Sequence, residues 1–394
     1  MDTNADLRAD SPLMTMSNSF LGDGILSLSI PGPSRDPTYY ISDGNTVLLV
    51  ENTLFKVHRS NLTKDKSAFE GMFQLSSEND SSKSDSSMTV AQEGENDDSP
   101  IRLQGDTADE FRALLWALYS LPHQLMVATG PDANCILLVN LARISHKYQF
   151  RSLEGWALQV LYTYFTTNPA AFDSLPASDP EPIPTHGNQS VEPRTPSLVQ
   201  VTELASFCDR QDLLNLAVTR WTRHIAAGKD LALAITISER FGLKNMLGLA
   251  YFYMMLKGRA HWETEATLSR EQRIRLLSGS YSLGKLWDAL PGQPPVITHS
   301  ARCTSQQRCT KAWGNLWKAV LESLEGMIPG LPREDVVART MLAESMVKAL
   351  VESQIPSQGY VETIPHCKES ALYAATMRSR ELKESLADYF TEDL

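Results

Sequence analysis

The chain has no basic excess, few cysteines and no long apolar run, and each shortage removes a class of function. It carries 36 Lys and Arg against 47 Asp and Glu, a net charge of −11, and its pI is near 5.3. That balance argues against a phosphate-tracking groove, so no nucleic-acid partner is expected. The longest apolar stretches, 231–237 and 247–256, fall short of the roughly 18–20 residues of a membrane helix, so no membrane partner is expected. The opening MDTNADLRAD lacks the basic, then apolar, order of a signal peptide. The five cysteines, Cys135, Cys208, Cys303, Cys309 and Cys367, are odd in number and sit mostly in apolar helical patterns. Reduced thiols in a cytoplasmic or nuclear protein are therefore expected.

Local signatures of catalysis are also missing. Neither GxxxxGK[ST] nor GxGxxG follows a strand pattern, and Gly279, Ser280 and Gly284 do not make a GxSxG frame. His58 has no nucleophile or carboxylate at motif spacing. His299, Cys303 and Cys309 bring together zinc's preferred ligand types, but contain no close Cys pair or His pair. A fourth ligand would have to come from a distant residue such as Cys367 or His366, and two helix-facing thiols are the expected reading. No catalytic residue, cofactor or metal is expected, and the chain is not read as an enzyme. Trp313 and Trp317, at helical i, i+4 spacing beside Leu316 and Val320, read as a core ridge.

What is present is concentrated first in Asp43–Phe73, DGNTVLLVENTLFKVHRSNLTKDKSAFEGMF. Val47–Val50 and Leu54–Val57 are apolar runs separated by a polar break, the pattern of a hairpin. Ser67 and Glu70 have capping-box spacing ahead of a helix with Phe69, Met72 and Phe73 on one face. Thr107 with Glu110 opens a second helix carrying Phe111, Leu114, Leu115 and Leu118. Asp132 is placed to cap the next one, with Ile136, Val139, Leu141 and Ile144 in its stripe. Leu153, Trp156, Val160 and Leu161 mark the following helix.

Composition divides the chain. Residues 1–36 read as a mostly disordered tail with one apolar patch at Ile25, Leu26, Leu28 and Ile30. Residues 37–166 form a domain interrupted by 74–100, an acidic Ser-rich insertion without aromatics that cannot support a core. Within it Ser77 precedes Asp80 and Ser82 precedes Asp85 by three residues, the spacing acidophilic kinases favour. Residues 167–197 form a linker with Pro169, Pro176, Pro180, Pro182, Pro184, Pro193 and Pro196. Thr195-Pro196 then supplies a cap and a first-turn proline. A helical domain over 198–290 has its buried centre at Leu231–Arg240 and Leu243–Lys257, and Ser269 with Gln272 caps a further helix. A C-terminal helical region over 291–394 resumes near Ser305 and contains amphipathic stretches at Arg333–Val351 and Cys367–Tyr389.

Asp43, Val47, Leu49, Val50, Phe55, Val57, His58, Arg59, Leu62, Ser67, Phe69 and Phe73 resemble the opening of the BTB/POZ family. The resemblance continues through Ile101–Tyr119, Leu137–Phe150 and Leu153–Tyr164, and the whole is similar to BTB proteins numerous in mushroom-forming fungi. It implies an α+β BTB/POZ domain, a small sheet flanked by helices, followed by an all-α region. It also implies homodimerisation through a leading strand and the first helix, here Ile25, Leu28 and Ile30 with His58, Arg59 and Leu62. His58 would serve packing and hydrogen bonding. Many family members with helices behind the domain are substrate adaptors for cullin-type ubiquitin ligases, which gives the partners expected here: a second copy, a cullin, and a target held by the helical region. Adaptors often carry a hydrophobic-x-Glu element where this chain has Gln74-Leu75-Ser76, and place a helix pair directly after the domain, where this chain has its Pro-rich segment. A dimeric scaffold or nuclear co-regulator, and an enzyme hidden in the C-terminal helices, are the alternatives.

Overall fold

The computed structural model describes residues 32–80, 93–131, 133–179, 195–352, 364 and 366–390. It is a mixed α/β structure in which a four-stranded sheet precedes a long succession of helices. The strands are β1 (Ser34–Tyr40), β2 (Thr46–Val50), β3 (Thr53–Val57) and β4 (Ile101–Leu103), in the spatial order β1-β3-β2-β4. The expected hairpin is β2–β3, antiparallel with Leu48 opposite Phe55, and its two-residue turn places Glu51 in the left-handed region at φ +52°. The expected later strand is β4, parallel to β2.

β1 is an addition to the expected elements, and it starts inside the segment assigned to the tail. It pairs parallel to β3 in two pieces, Ser34 and Arg35 with Thr53 and Leu54, then Tyr40 with Lys56. Between them Asp36, 2% exposed, accepts from the backbone N–H groups of Thr38 and Tyr39 and from the Arg112 guanidinium. The carboxylate thus replaces the ladder where Pro37 has no N–H to give.

Short α1 (Arg59–Leu62) and α2 (Ala68–Asp80) follow the hairpin, and α3 (Ala108–Tyr119), α4 (Pro122–Val127), α5 (Cys135–Lys147), α6 (Arg151–Thr167) and α7 (Pro169–Asp173) follow β4. Leu48, Val50, Phe55 and Val57 enter the main core with Leu62, Phe69, Phe111 and Leu141. The opposite sheet face holds a smaller cluster of Val47, Leu49 and Leu54 beside Tyr40.

Two boundaries differ from expectation. The acidic insertion is not wholly without structure, because α2 continues through Asp80 and residues 93–100 return along the sheet. There the Gly94 carbonyl accepts from Val47 N–H at 2.8 Å, and the Asp97 carboxylate accepts from the Tyr40 hydroxyl and the Arg35 guanidinium, both at 2.6 Å. The Pro-rich segment does not hold two domains apart. Phe172 and Leu175 are buried, while Leu198 and Val199 donate to the Pro176 and Ala177 carbonyls at 2.8 and 3.1 Å. Residues on either side of 180–194 are therefore tied together.

The helices beyond are α8 (Leu198–Phe207), α9 (Gln211–Ala226), α10 (Leu231–Phe241), α11 (Lys244–Leu256), α12 (Arg259–Thr264), α13 (Arg270–Ala289), α14 (Gln306–Met327), α15 (Val336–Glu352) and α16 (Lys368–Glu384). α8 packs on α5, so one apolar core runs from the sheet into this region. The capping boxes at Thr107–Glu110 and Ser269–Gln272 form as expected. The cap of α8 is Ser197 with Gln200 rather than Thr195, and that of α5 is Asn134, while Asp132 lies outside the described residues. Ser67 spends its hydroxyl proton on the Leu62 carbonyl, and Glu70 N–H goes to the Ser67 carbonyl. A final 3-10 segment, Leu386–Phe390, lies across α11 and α13, with Phe390 stacked on Tyr251 at 5.3 Å.

Candidate interaction surface

The chain leaves β3 at Val57 and turns immediately into the single turn of α1, so His58 stands at a corner where three segments meet. Its backbone N–H donates to the Tyr119 hydroxyl at 2.9 Å, and that oxygen lies 3.0 Å from His58 Nδ1. The Tyr119 hydroxyl, with one proton and two lone pairs, therefore bonds both the backbone and the ring of His58. Nε2 faces the Asp43 carboxylate at 3.4 Å. His58 is thus a half-exposed brace between the β1–β2 loop and the end of α3.

Arg59 is the second brace. Its N–H donates to Asn45 Oδ1 at 2.8 Å, its guanidinium donates to the Phe73 carbonyl at 2.7 Å, and the same group lies 4.2 Å above the Phe73 ring. Leu62 has a different place from the one expected. It is fully buried in the main core, so it is a packing residue and presents nothing to a partner. The spacing that marks α1 as an interface element puts its one large apolar side chain inward, because four residues make only one face. Ile25, Leu28 and Ile30 lie outside the described residues. Ser77 falls within α2, and Ser82 lies outside the described residues.

A second surface belongs to the helical region. On α13, Ile274, Leu277 and Tyr281 stand 48, 46 and 65% exposed at i, i+3, i+7 spacing, an apolar ridge with no cover among the described residues. Leu277 and Tyr281 border a cleft of about 690 Å³ that is completed by Arg259 and Trp262 of α12, Lys285, and Glu334. Its lining thus mixes charged side chains with an apolar floor. The sequence carries this ridge as a visible three-and-four pattern, but the same pattern marks a buried face, and only the position of α13 separates the two.

Trp313 and Trp317 are core residues, as expected, 1% exposed each. Their ring N–H groups donate to the Pro295 and Leu290 carbonyls at 2.7 and 3.0 Å, which fixes the loop after α13 against α14. His299 and Cys303 lie in that loop, Cys309 in the first turn of α14 and Cys367 at the start of α16, and the four side chains converge. Cys303 is therefore a loop residue and not helix-facing, and His366 is exposed outside the group. Burial raises the Cys367 thiol, but the Ser300 N–H and the polar contacts with His299, Cys309 and Cys303 outweigh it and lower the group to about 7. Elsewhere His146, Glu154 and Cys208 also meet. There His146 Nδ1 pairs with Glu154 at 2.8 Å, and burial, then the Glu154 charge, push Cys208 up to about 12, which describes an imidazole–carboxylate contact beside a neutral thiol.

Among the described residues no helix is long and apolar enough to cross a membrane. Compared with protein-family models, curated proteins and solved structures, the chain matches none.

Proposed function

We propose that the chain is a homodimerising interaction module of the BTB/POZ type and a substrate adaptor for a cullin-type ubiquitin ligase, working in the cytoplasm or nucleus. The observation that carries the reading is the order and pairing of the first elements. An antiparallel hairpin leads through the His58–Arg59 corner into α1 and α2, and β4 returns parallel to β2 under a layer of helices. That arrangement supports the family resemblance of Asp43–Phe73 independently of residue identity. Pairing of two copies presents two helical regions and raises avidity for a clustered target without any new contact.

The adaptor role draws support from α8 and α9. In cullin adaptors a helix pair directly behind the domain completes the cullin surface, and here α8 lies on α5, with Arg143 bridging Glu110 at 3.6 Å and Glu203 of α8 at 3.5 Å. The Pro-rich segment between them is a detour in sequence only. The ridge of Ile274, Leu277 and Tyr281 beside its cleft is the surface assigned to the target.

One feature favours the second reading, a dimeric scaffold or co-regulator without a ligase. Gln74-Leu75-Ser76 stand in place of the hydrophobic-x-Glu element, and α2 runs through them as helix. Affinity purification of the tagged full-length chain from its own cells, read by mass spectrometry, separates the two. Stoichiometric cullin with its RING partner is the expected result. Recovery of other proteins without a cullin, at a depth where control adaptors retain theirs, overturns the adaptor role and leaves the scaffold.

A further inference from the structure

Three thiols and one imidazole from three separate chain segments meet between the loop after α13, the first turn of α14 and the start of α16. The ligand atoms of His299, Cys303, Cys309 and Cys367 all lie within 4.8 Å of one another. His299 Nδ1 is 3.7 Å from the Cys303 sulfur and 3.7 Å from the Cys367 sulfur. With zinc–sulfur and zinc–nitrogen bonds of about 2.3 and 2.05 Å, a tetrahedral site has S···N edges of about 3.6 Å and S···S edges of about 3.8 Å. Both N···S distances match that edge, all four atoms fall within a sphere of contact that one ion can span, and none of the cysteines is in a disulfide.

The imidazole is held in the form a metal needs. His299 Nε2 lies 3.0 Å from the Thr310 hydroxyl, and that hydroxyl donates its own proton to the Gln306 carbonyl at 3.0 Å. Thr310 Oγ1 can therefore only accept from the ring, which puts the hydrogen on Nε2 and leaves the Nδ1 lone pair facing the sulfurs. An outer partner that fixes the tautomer of a ligating His is a general feature of zinc sites. Cys309 and Cys367 are 3 and 2% exposed. The loop is already fixed from both sides, through Trp313 N–H to the Pro295 carbonyl and Thr298 N–H to Ser370 Oγ at 2.8 Å. The site is thus built in advance rather than gathered from mobile chain.

We propose that His299 Nδ1 and the thiolates of Cys303, Cys309 and Cys367 bind one zinc ion with a structural role. The soft donor set of three sulfurs and one nitrogen selects zinc over hard cations, and four protein ligands leave no open position for a substrate. Binding displaces the three thiol protons to solvent and ties the loop and α14 to the start of α16. The sequence offers all four residues but not their meeting, because they are separated by 3, 5 and 57 residues and only the return of α16 supplies the fourth. The site stands independently of the interaction role above.

Elemental analysis of the full-length chain, purified under reducing conditions without chelator, is expected to give one zinc per chain. Cobalt(II) added to the zinc-stripped chain is expected to give thiolate charge-transfer bands and the intense visible bands of a tetrahedral centre with three thiolates and one imidazole. Cys309→Ser and Cys367→Ser lose the metal, Cys135→Ser keeps it, and Thr310→Val, which leaves every ligand in place, weakens zinc on the order of 10–100-fold. A wild-type chain that takes up neither zinc nor tetrahedral cobalt overturns the proposal without recourse to any variant. So does full zinc retention by Cys309→Ser and Cys367→Ser, or copper or iron occupying the site in place of zinc.

Discussion

Leu62 and Arg59 lie three residues apart in one turn of helix and do different work. Leu62 is fully buried, so Leu62→Ala removes packing that the surrounding core cannot replace, and about 2–5 kcal/mol of stability is expected to be lost in urea titration. Arg59→Ala deletes a hydrogen bond and a ring contact at a half-exposed site and is expected to cost clearly less in the same titration. A second residue-level expectation concerns acid. The Tyr40 hydroxyl holds the Asp97 carboxylate below its ordinary range, against some burial, and Arg35 adds to the effect. A depressed acid stabilises the fold above its unfolded value, and the contribution is lost as pH falls through the folded value. Asp97→Asn therefore lowers the thermal midpoint near neutral pH, and its difference from wild type vanishes in acid below the Asp97 folded value. A pH series of thermal melts on both proteins checks this.

Local chemistry was the part legible from sequence at this scale. Thr107–Glu110 and Ser269–Gln272 cap their helices because both partners of such a box lie within one turn. Ser67 with Glu70 has the same spacing and fails, because the Glu70 N–H bonds the Ser67 backbone carbonyl instead of its hydroxyl. His58 as a brace was anticipated, but Tyr119, its partner 61 residues on, was not, and no local pattern carries that pairing.

At the scale of elements, amphipathic period found the long helices, while the short α4, α7 and α12 and the elements that rest on distant partners escaped it. β1 has no alternation and contains Pro37, and it exists because Asp36 accepts from two backbone N–H groups and Arg112. The final 3-10 segment is another such case. Gly248 of α11 and Gly279 of α13 read as weak points in otherwise good helices, yet they are where Ala387 and Phe390 approach. A side chain at Gly248 would meet the Ala387 backbone, which cannot rotate aside. Gly248→Ala is expected to destabilise by about 1–3 kcal/mol in spite of its better helix propensity. Urea titration together with limited proteolysis near the C-terminus is the check, and early cleavage there is expected. The α13 ridge makes the opposite kind of prediction. Tyr281→Ser changes a side chain that is 65% exposed, so the melting midpoint stays put while target proteins fall away from the affinity-purified complex.

At the scale of the whole molecule, composition misled where it was most suggestive. The Pro-rich segment reads as a spacer between domains, but the hydrogen bonds from 198–199 to 176–177 and the shared core of α5 and α8 make the sheet and the first helices behind it one body. The described surface is therefore continuous across the boundary that sequence drew at 166–198. Both the adaptor and the scaffold reading require two copies of the chain, so the central claim is pairing. Sedimentation equilibrium of the full-length protein tests it most directly. A mass twice the 43.8 kDa of the chain, falling towards one chain only on strong dilution, is the result predicted. A mass of 43.8 kDa that does not change with concentration contradicts it.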